Sequence, residues 1–213
     1  MSDNARVTKY FIFKILGFSK SFRLFMSRLF SIKHYFVAYA KISEIKESRH
    51  LRSPLGTLAL IQPSDIQYIK NQLCNMSPDD KSELIIRILF FLNGFKHGYV
   101  FRIRDKIAYM QWLIYPHENS IILKKYRKKY YQLMSNQVMI ENAFTFPEFR
   151  GQGLLPMITK KLLDIARVDG HEYAVSYIRK DKIASINEFL KLNFKIRKLI
   201  AEYKVLGIAW RTL

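Results

Sequence analysis

Acidic residues are scarce in this 213-residue chain: Asp and Glu number 17 against 36 Lys and Arg, a formal net charge of +19. That imbalance favours negatively charged partners, whether a phosphorylated coenzyme, a nucleotide-linked substrate, an anionic membrane surface or nucleic acid, without choosing among them. Cysteine is nearly absent. Cys74 alone excludes an internal disulfide and a cysteine-rich metal site, and fits a reducing, cytoplasmic compartment. The five histidines, His34, His50, His97, His117 and His171, stand without ligand spacing, so surface or packing roles and no metal are expected. No window reaches the ~18 to 20 uncharged apolar residues that a bilayer demands. Lys14 interrupts the N-terminal apolar stretch and no small-residue cleavage site follows, so a clear signal peptide is excluded as well. Repeats and low-complexity linkers are lacking. With 49% hydrophobic residues, one sizeable core suffices for one domain.

What is present begins with an aromatic stripe. Phe11, Ile15, Phe18, Phe22, Phe25, Leu29, Ile32 and Phe36 alternate spacings of four and three, which places them along one helix face. Arg6, Lys9, Lys20, Arg23 and Arg28 lie mostly around it, and Gly17 predicts a bend or two shorter helices. Residues 1–34 therefore read as a basic amphipathic helical appendage. It is expected first to pack on its own domain or at a homodimer seam, and second to lie peripherally on the anionic inner membrane face. Residues 35–213 form the single remaining domain.

Alternation from Tyr35 to Ile42 predicts a first strand. Pro63-Ser64-Asp65 opens a helix, with Ser64 or Asp65 as cap, and Ser77-Pro78 opens another that buries Leu84, Ile85, Ile88, Leu89 and Leu92 before Asn93-Gly94. Tyr99 to Ile103 and Ile107 to Ile114 predict a hairpin, Gln137 to Thr145 a further strand, and Phe194 to Trp210 two more with a bend near Lys198 to Ala201. The basic run Lys124, Lys125, Arg127, Lys128 and Lys129 is a solvated face between strands. No nucleic-acid motif accompanies it, so nucleic acid is the least favoured partner.

The most informative segment runs from Phe144 to Leu155, F-T-F-P-E-F-R-G-Q-G-L-L, ahead of a Pro156-led helix. Gly151 and Gly153 let the backbone turn tightly so that successive N–H groups converge on an anion, and the helix adds the positive end of its dipole. Met157, Ile158, Leu162, Ile165 and Ala166 recur at helical spacing up to Asp169-Gly170, and Tyr173 to Ile178 is a buried strand. A β-α-β unit thus surrounds the loop.

With these residues the chain resembles the GNAT superfamily of acyltransferases, whose coenzyme motif is R/Q-x-x-G-x-G/A. Arg150, Gly151, Gln152, Gly153 and Leu154 fit it, and Leu154-Leu155-Pro156 looks like an R-G-x-G-L-x-P variant, with Leu155 where Gly or Ala is usual. Between Lys182 and Phe194, Ser185, Ile186, Leu192 and Phe194 match a second family stretch. Lys182 replaces its Asn, Asn193 its Gly, and Phe189 the Tyr that often protonates the leaving thiolate. The resemblance extends from about Gly98 to the C-terminus. It implies an α/β (α+β) fold with a mixed, mostly antiparallel central sheet flanked by helices.

The resemblance also implies roles. Amides of Gln152, Gly153, Leu154 and Leu155 would hold the pyrophosphate of acetyl-CoA or another acyl-CoA, and backbone of Phe144 and Thr145 would pair with its pantetheine arm. Gly151, Lys182 and Ser185 complete the expected coenzyme site, and Arg150 adds charge near the phosphates or fastens the loop. Glu141 interrupts an apolar strand on the face of Met139 and Ala143, which marks it as a candidate base or a paired structural carboxylate. Tyr177 is the nearest phenol for the acid role, or else a packed aromatic. The expected function is N-acyl transfer, most often acetyl, to the amine of a small acceptor such as an amino sugar or nucleotide-linked amino sugar. A catalytically silent coenzyme A-binding module, and a membrane-associated long-chain acyltransferase using acyl carrier protein, are the alternatives.

Overall fold

The computed structural model describes residues 30–46, 54–205 and 208–213. Eight strands form one sheet: β1 (Phe30–Lys41), β2 (Thr57–Leu60), β3 (Gly98–Ile103), β4 (Lys106–Ile114), β5 (Gln137–Thr145), β6 (Tyr173–Arg179), β7 (Lys195–Val205) and β8 (Ile208–Arg211). Their order is β2-β3-β4-β5-β6-β1-β7-β8. Every neighbouring pair is antiparallel except β5 and β6, which are parallel and joined through a helical crossover. Among the described residues, α1 (Pro63–Gln72), α2 (Pro78–Leu92), α3 (Leu154–Val168) and α4 (Ile183–Lys191) cover the sheet, and a shorter helical stretch runs from Asn119 to Tyr126. Among the described residues no helix is long and apolar enough to cross a membrane.

Both faces of the central strands are covered, which explains why the residues of β4 after Lys106 are all buried and, apart from Gln111, apolar. One face packs Ile66 and Ile69 of α1 and Leu84 and Ile88 of α2 against Val100, Met110, Trp112 and Met139. The other packs Leu154, Ile158, Leu162 and Ala166 of α3 and Ile186 and Phe189 of α4 against Tyr109, Leu113, Ile140 and Ile178. Each such Leu or Ile contributes about 1.5–3 kcal/mol on burial, so Leu162→Ala in α3 would loosen this second layer directly.

Local chemistry sets the boundaries, sometimes differently from the sequence expectation. The cap of α1 is Gln62 rather than Ser64 or Asp65. Asp65 occupies the third helical position, where its carboxylate accepts the Gln62 amide at 2.8 Å, and it also pairs with Arg102 of β3. Ser77 caps α2 as expected, accepting the Asp80 amide at 3.2 Å. Arg104 and Asp105 take φ of 47° and 64°, the two left-handed positions of a tight hairpin turn.

Three further differences concern strands. β1 begins at Phe30, so Ile32 and Phe36 of the aromatic stripe belong to a strand; pairing with β7 and β6 overrides their helical spacing. The rest of the proposed appendage lies outside the described residues. Thr57–Leu60 forms a short edge strand that the sequence did not suggest, and its outer surface is exposed. The bend expected near Lys198 to Ala201 is instead a bulge. Val37 pairs with Lys198 and Ala38 with Ile196, so Arg197 is the extra residue and β7 runs on unbroken.

Candidate active site

β5 and β6 are hydrogen-bonded only from Gln137 to Met139 and from Tyr173 to Val175. Past those residues β5 stays with β4 and β6 stays with β1, so the two parallel strands part company. The Glu141 carboxylate sits where they diverge. Its Oε1 accepts the main-chain amide of Tyr177 at 2.8 Å, replacing the missing ladder partner, and its Oε2 accepts the Tyr130 hydroxyl at 3.3 Å. Burial pushes this carboxyl up to about 7, while the Arg211 charge and the bonds from Tyr177 and Tyr130 pull it back toward the ordinary range.

A bulge re-aims the end of β5. Asn142 adopts φ of 56°, and the register slips so that Trp112 faces Glu141 while Met110 faces Phe144. Met139 belongs to the α1/α2 face that Glu141 also serves through Tyr130 and Tyr177, but Ala143 packs against the α3 side. The expectation that Ala143 shares a face with Glu141 therefore fails, because one left-handed residue inverts the alternation after it.

The cradle follows directly. Thr145 and Phe144 pair with Tyr109 and Met110 of β4. A turn of 3₁₀ helix (Pro147–Phe149) leads to Gly151 at φ 80° and Gly153 at φ 68°, the latter capping α3. The first helical bond runs from Met157 N–H to Gly153 O at 3.3 Å. Among the described residues, no turn, loop or cap backbone bond uses the amides of Gln152, Gly153, Leu154 or Leu155. A Cβ on Gly151 would meet nothing within 4 Å, so the loop has open space in front of it. Leu154 is buried beneath α3 and Leu155 packs against the same cluster.

Several solved structures share this fold. One is a fungal multi-domain GH3 β-N-acetylglucosaminidase with a GCN5-related glucosamine N-acetyltransferase region, at TM-score 0.58 and 11% identity over 85% of this chain and 22% of that one. Another is an acetyltransferase from the GNAT family of Colwellia psychrerythraea, at TM-score 0.53 and 10% identity over 83% and 57%. A third is a GCN5-related N-acetyltransferase from Sphaerobacter thermophilus, at TM-score 0.50 and 9% identity over 90% and 58%. The fold is that of the GCN5-related N-acetyltransferases. This chain spans less than two thirds of each of the three. No protein-family model matches it, and no curated protein matches its sequence.

Within this GNAT fold, α2 reaches over both sides of the opening. Arg87 donates to Ala143 O at 2.8 Å and to Glu83 Oε2 at 2.6 Å. Glu83 also meets Arg179 at 3.3 Å, from the end of β6, and Lys182 at 3.5 Å, from the cap of α4. Burial works to raise the Glu83 carboxyl, but Arg87, Lys182 and Arg179 together hold it below its ordinary value. Arg150 pairs with Asp80 of α2 and its Nε donates to Thr145 O at 3.4 Å, so it fastens the cradle to the helix. Ser185 stands half-buried in the first turn of α4.

The two aromatic positions separate. Phe189 is packed edge-on against Phe194 at 4.9 Å in the α3/α4 core. The Tyr177 oxygen accepts the Tyr131 amide at 3.1 Å, and burial raises its phenol well above the ordinary range, so it stays protonated at neutral pH. Tyr177 lines a cavity of about 430 Å³ with Val37, Tyr39, Tyr131, Arg197 and Lys198.

Sequence reasoning missed Arg211. Its guanidinium lies 3.9 Å from the Tyr35 ring centroid, 5.0 Å from Tyr130 and 5.2 Å from Tyr177, and its Nε donates to Glu202 Oε2 at 3.0 Å. It also donates to Lys129 O at 2.9 Å, so the basic run is partly anchored in this cage rather than wholly solvated. A lone Arg, two residues before the last, carries no local signal. Tyr130, buried among basic neighbours, could have been suspected from its apolar ring alone.

Proposed function

We propose that this chain is an acyl-CoA-dependent N-acyltransferase that moves an acetyl group to the amine of a small acceptor, an amino sugar or nucleotide-linked amino sugar. The observation that carries this reading is Glu141, a buried carboxyl near 7 at the point where β5 and β6 part, on the same strand that feeds the cradle. The glucosamine N-acetyltransferase region of the fungal neighbour and the excess positive charge support the acceptor class.

The cradle suits a pyrophosphate. Its amides are not engaged by turn or loop bonds, Gly151 faces open space, and the α3 N-terminus adds positive potential. When bound, acetyl-CoA supplies an activated acyl group as a thioester. The chain's own residues would then orient, accept and donate protons. Gln152, Gly153, Leu154 and Leu155 bind the diphosphate, and the divergence past Met139 leaves β5 backbone at Phe144 and Thr145 beside the arm. Glu141 takes the proton of the attacking amine, whose nitrogen forms the amide as the carbon–sulfur bond breaks. Tyr177, protonated and with its oxygen already accepting from Tyr131, returns a proton to the departing thiolate. Orientation alone can supply ~7 to 11 kcal/mol of the barrier, which makes the loss of a Tyr at Phe189 tolerable. Lys182 and Ser185 border the coenzyme from the α4 side, in a cytoplasmic protein.

The test pairs calorimetric titration of coenzyme A with thiol release from acetyl-CoA over a panel of amines led by glucosamine. Micromolar binding together with turnover supports the proposal. No binding at millimolar coenzyme removes it. Binding without turnover, unchanged by Glu141→Gln, selects the silent binding module, and turnover only with acyl carrier protein and anionic liposomes selects long-chain transfer.

A further inference from the structure

At the end of the sheet opposite the cradle, where β3 starts and β4 finishes, two loops bring together His97, His117 and Glu118. The donor atoms of the three all lie within 4.8 Å of one another. Their backbones are well held. His97 O accepts the Leu113 amide at 3.0 Å, and Pro116 opens the single helical turn Pro116–Glu118. Glu118 is buried, with Oε1 accepting the Lys96 amide at 3.0 Å and Oε2 the Tyr115 amide at 3.1 Å. Those amides fix the carboxylate and leave lone pairs facing the imidazoles, the arrangement outer partners give to a metal-binding carboxylate.

The decisive detail is His97 Nδ1. It is buried without a hydrogen-bond partner and lies 3.1 Å from Glu118 Oε2, within ion-pair reach of that carboxylate. A ring nitrogen and a carboxylate oxygen at that distance match two ligands of one ion, since a tetrahedral zinc at ~2.0–2.1 Å from nitrogen and oxygen sets its ligands about 3.3 Å apart. The third donor lies within 4.8 Å and closes the set by rotation of the exposed His117 side chain. His117 stacks on Tyr115 with centroids 5.4 Å apart and interplanar angle 13°, and meets His97 edge-on at 5.1 Å, which holds its ring beside His97. We infer that His97, His117 and Glu118 form a binding site for a divalent transition metal of the zinc type. Two imidazoles and one carboxylate select such an ion over magnesium or calcium, with water completing the shell. The net charge of +19 opposes casual uptake of cations, so a tight ion here would need ligands of this quality. The site ties the loop before β3 to the loop after β4, which gives it a structural role independent of acyl transfer.

The sequence expectation of no metal rested on spacing, and two of these ligands are adjacent while the third is distant in the chain. Cobalt(II) serves as the probe on the full chain: one equivalent should bind with the visible absorption of four-coordinate cobalt and be displaced by zinc. His117→Ala, at an exposed position, should weaken that affinity at least tenfold with unchanged circular dichroism, and His97→Gln should do the same. His34→Ala should leave it unchanged. Absence of a four-coordinate spectrum, or wild-type affinity in both variants, overturns the site. So does loss of binding in His34→Ala.

Discussion

Glu141 Oε1 and the Tyr177 amide, 2.8 Å apart, bridge β5 and β6 at the point where their backbone pairing has ended. A side chain has taken the place of a backbone acceptor there. The same carboxylate therefore ties the two strands together where they diverge.

As a general base Glu141 must be ionised, so kcat/KM for acetyl transfer is expected to rise with pH through about 7 and level off above it. Glu141→Gln keeps an acceptor for Tyr177 but no base. It is expected to lower kcat by roughly 10²- to 10⁴-fold and to abolish the acidic limb. A pH profile unchanged in the variant would remove Glu141 from the chemistry.

The same carboxyl makes stability depend on pH in a definite direction. Unfolded, it titrates near 4.5; folded, near 7, so between those values the folded chain holds more protons and stability falls as pH rises. At about 1.4 kcal/mol per unit, the loss from this group approaches roughly 3 kcal/mol by pH 8. Relative to wild type, Glu141→Gln is expected to gain stability above pH 7 and to lose that advantage below about pH 5 in urea denaturation. A pH-independent difference would contradict this.

Arg211 is a positioning residue for Glu141. It lies over Tyr130 and Tyr177, both bonded to that carboxylate, and its charge opposes the rise that burial imposes. Arg211→Met is expected to shift the acidic limb of the rate profile to higher pH. It also leaves buried Glu202 without its partner, at a cost of about 3–5 kcal/mol. Arg211→Lys should restore the limb in part, which a purely packing role would not produce.

Asp80 of α2 engages the Arg150 side chain at the start of the glycine loop. The Arg150 side chain is half exposed, so the pair contributes little to stability, typically about 0–1 kcal/mol. Asp80 also accepts the Ser77 hydroxyl at 2.8 Å in the first turn of α2, so Asp80→Ala is expected to lower the melting temperature modestly and to tighten coenzyme A binding by calorimetry, because the freed guanidinium can turn to the phosphates. Equal or weaker binding would assign Arg150 to fastening alone.

The residues that proved easiest to interpret were those whose role is settled by near neighbours. Gly151 and Gly153 need left-handed backbone, Ser77 caps its own helix, and the stripe from Leu154 to Ala166 buries one helical face. The failures have equally specific causes. Ile32 and Phe36 keep helical spacing but are recruited into β1 by two partner strands, and Asn142 inverts the faces of β5 with no neighbour announcing it.

The order of chemical groups along the chain determined by itself that a left-handed glycine turn would follow a buried strand and precede an amphipathic helix, because backbone freedom and helical periodicity are properties of adjacent residues. Tertiary structure alone decided that Arg211 meets Glu141 through the Tyr130 side chain and the Tyr177 ring and amide, that α2 spans the opening, and that two loops bring His97 to Glu118. Those encounters depend on the strand order β5-β6-β1-β7-β8 and on helices docking across it. Pairings between distant segments are selected by the burial of the whole sheet, a quantity no short stretch of sequence contains.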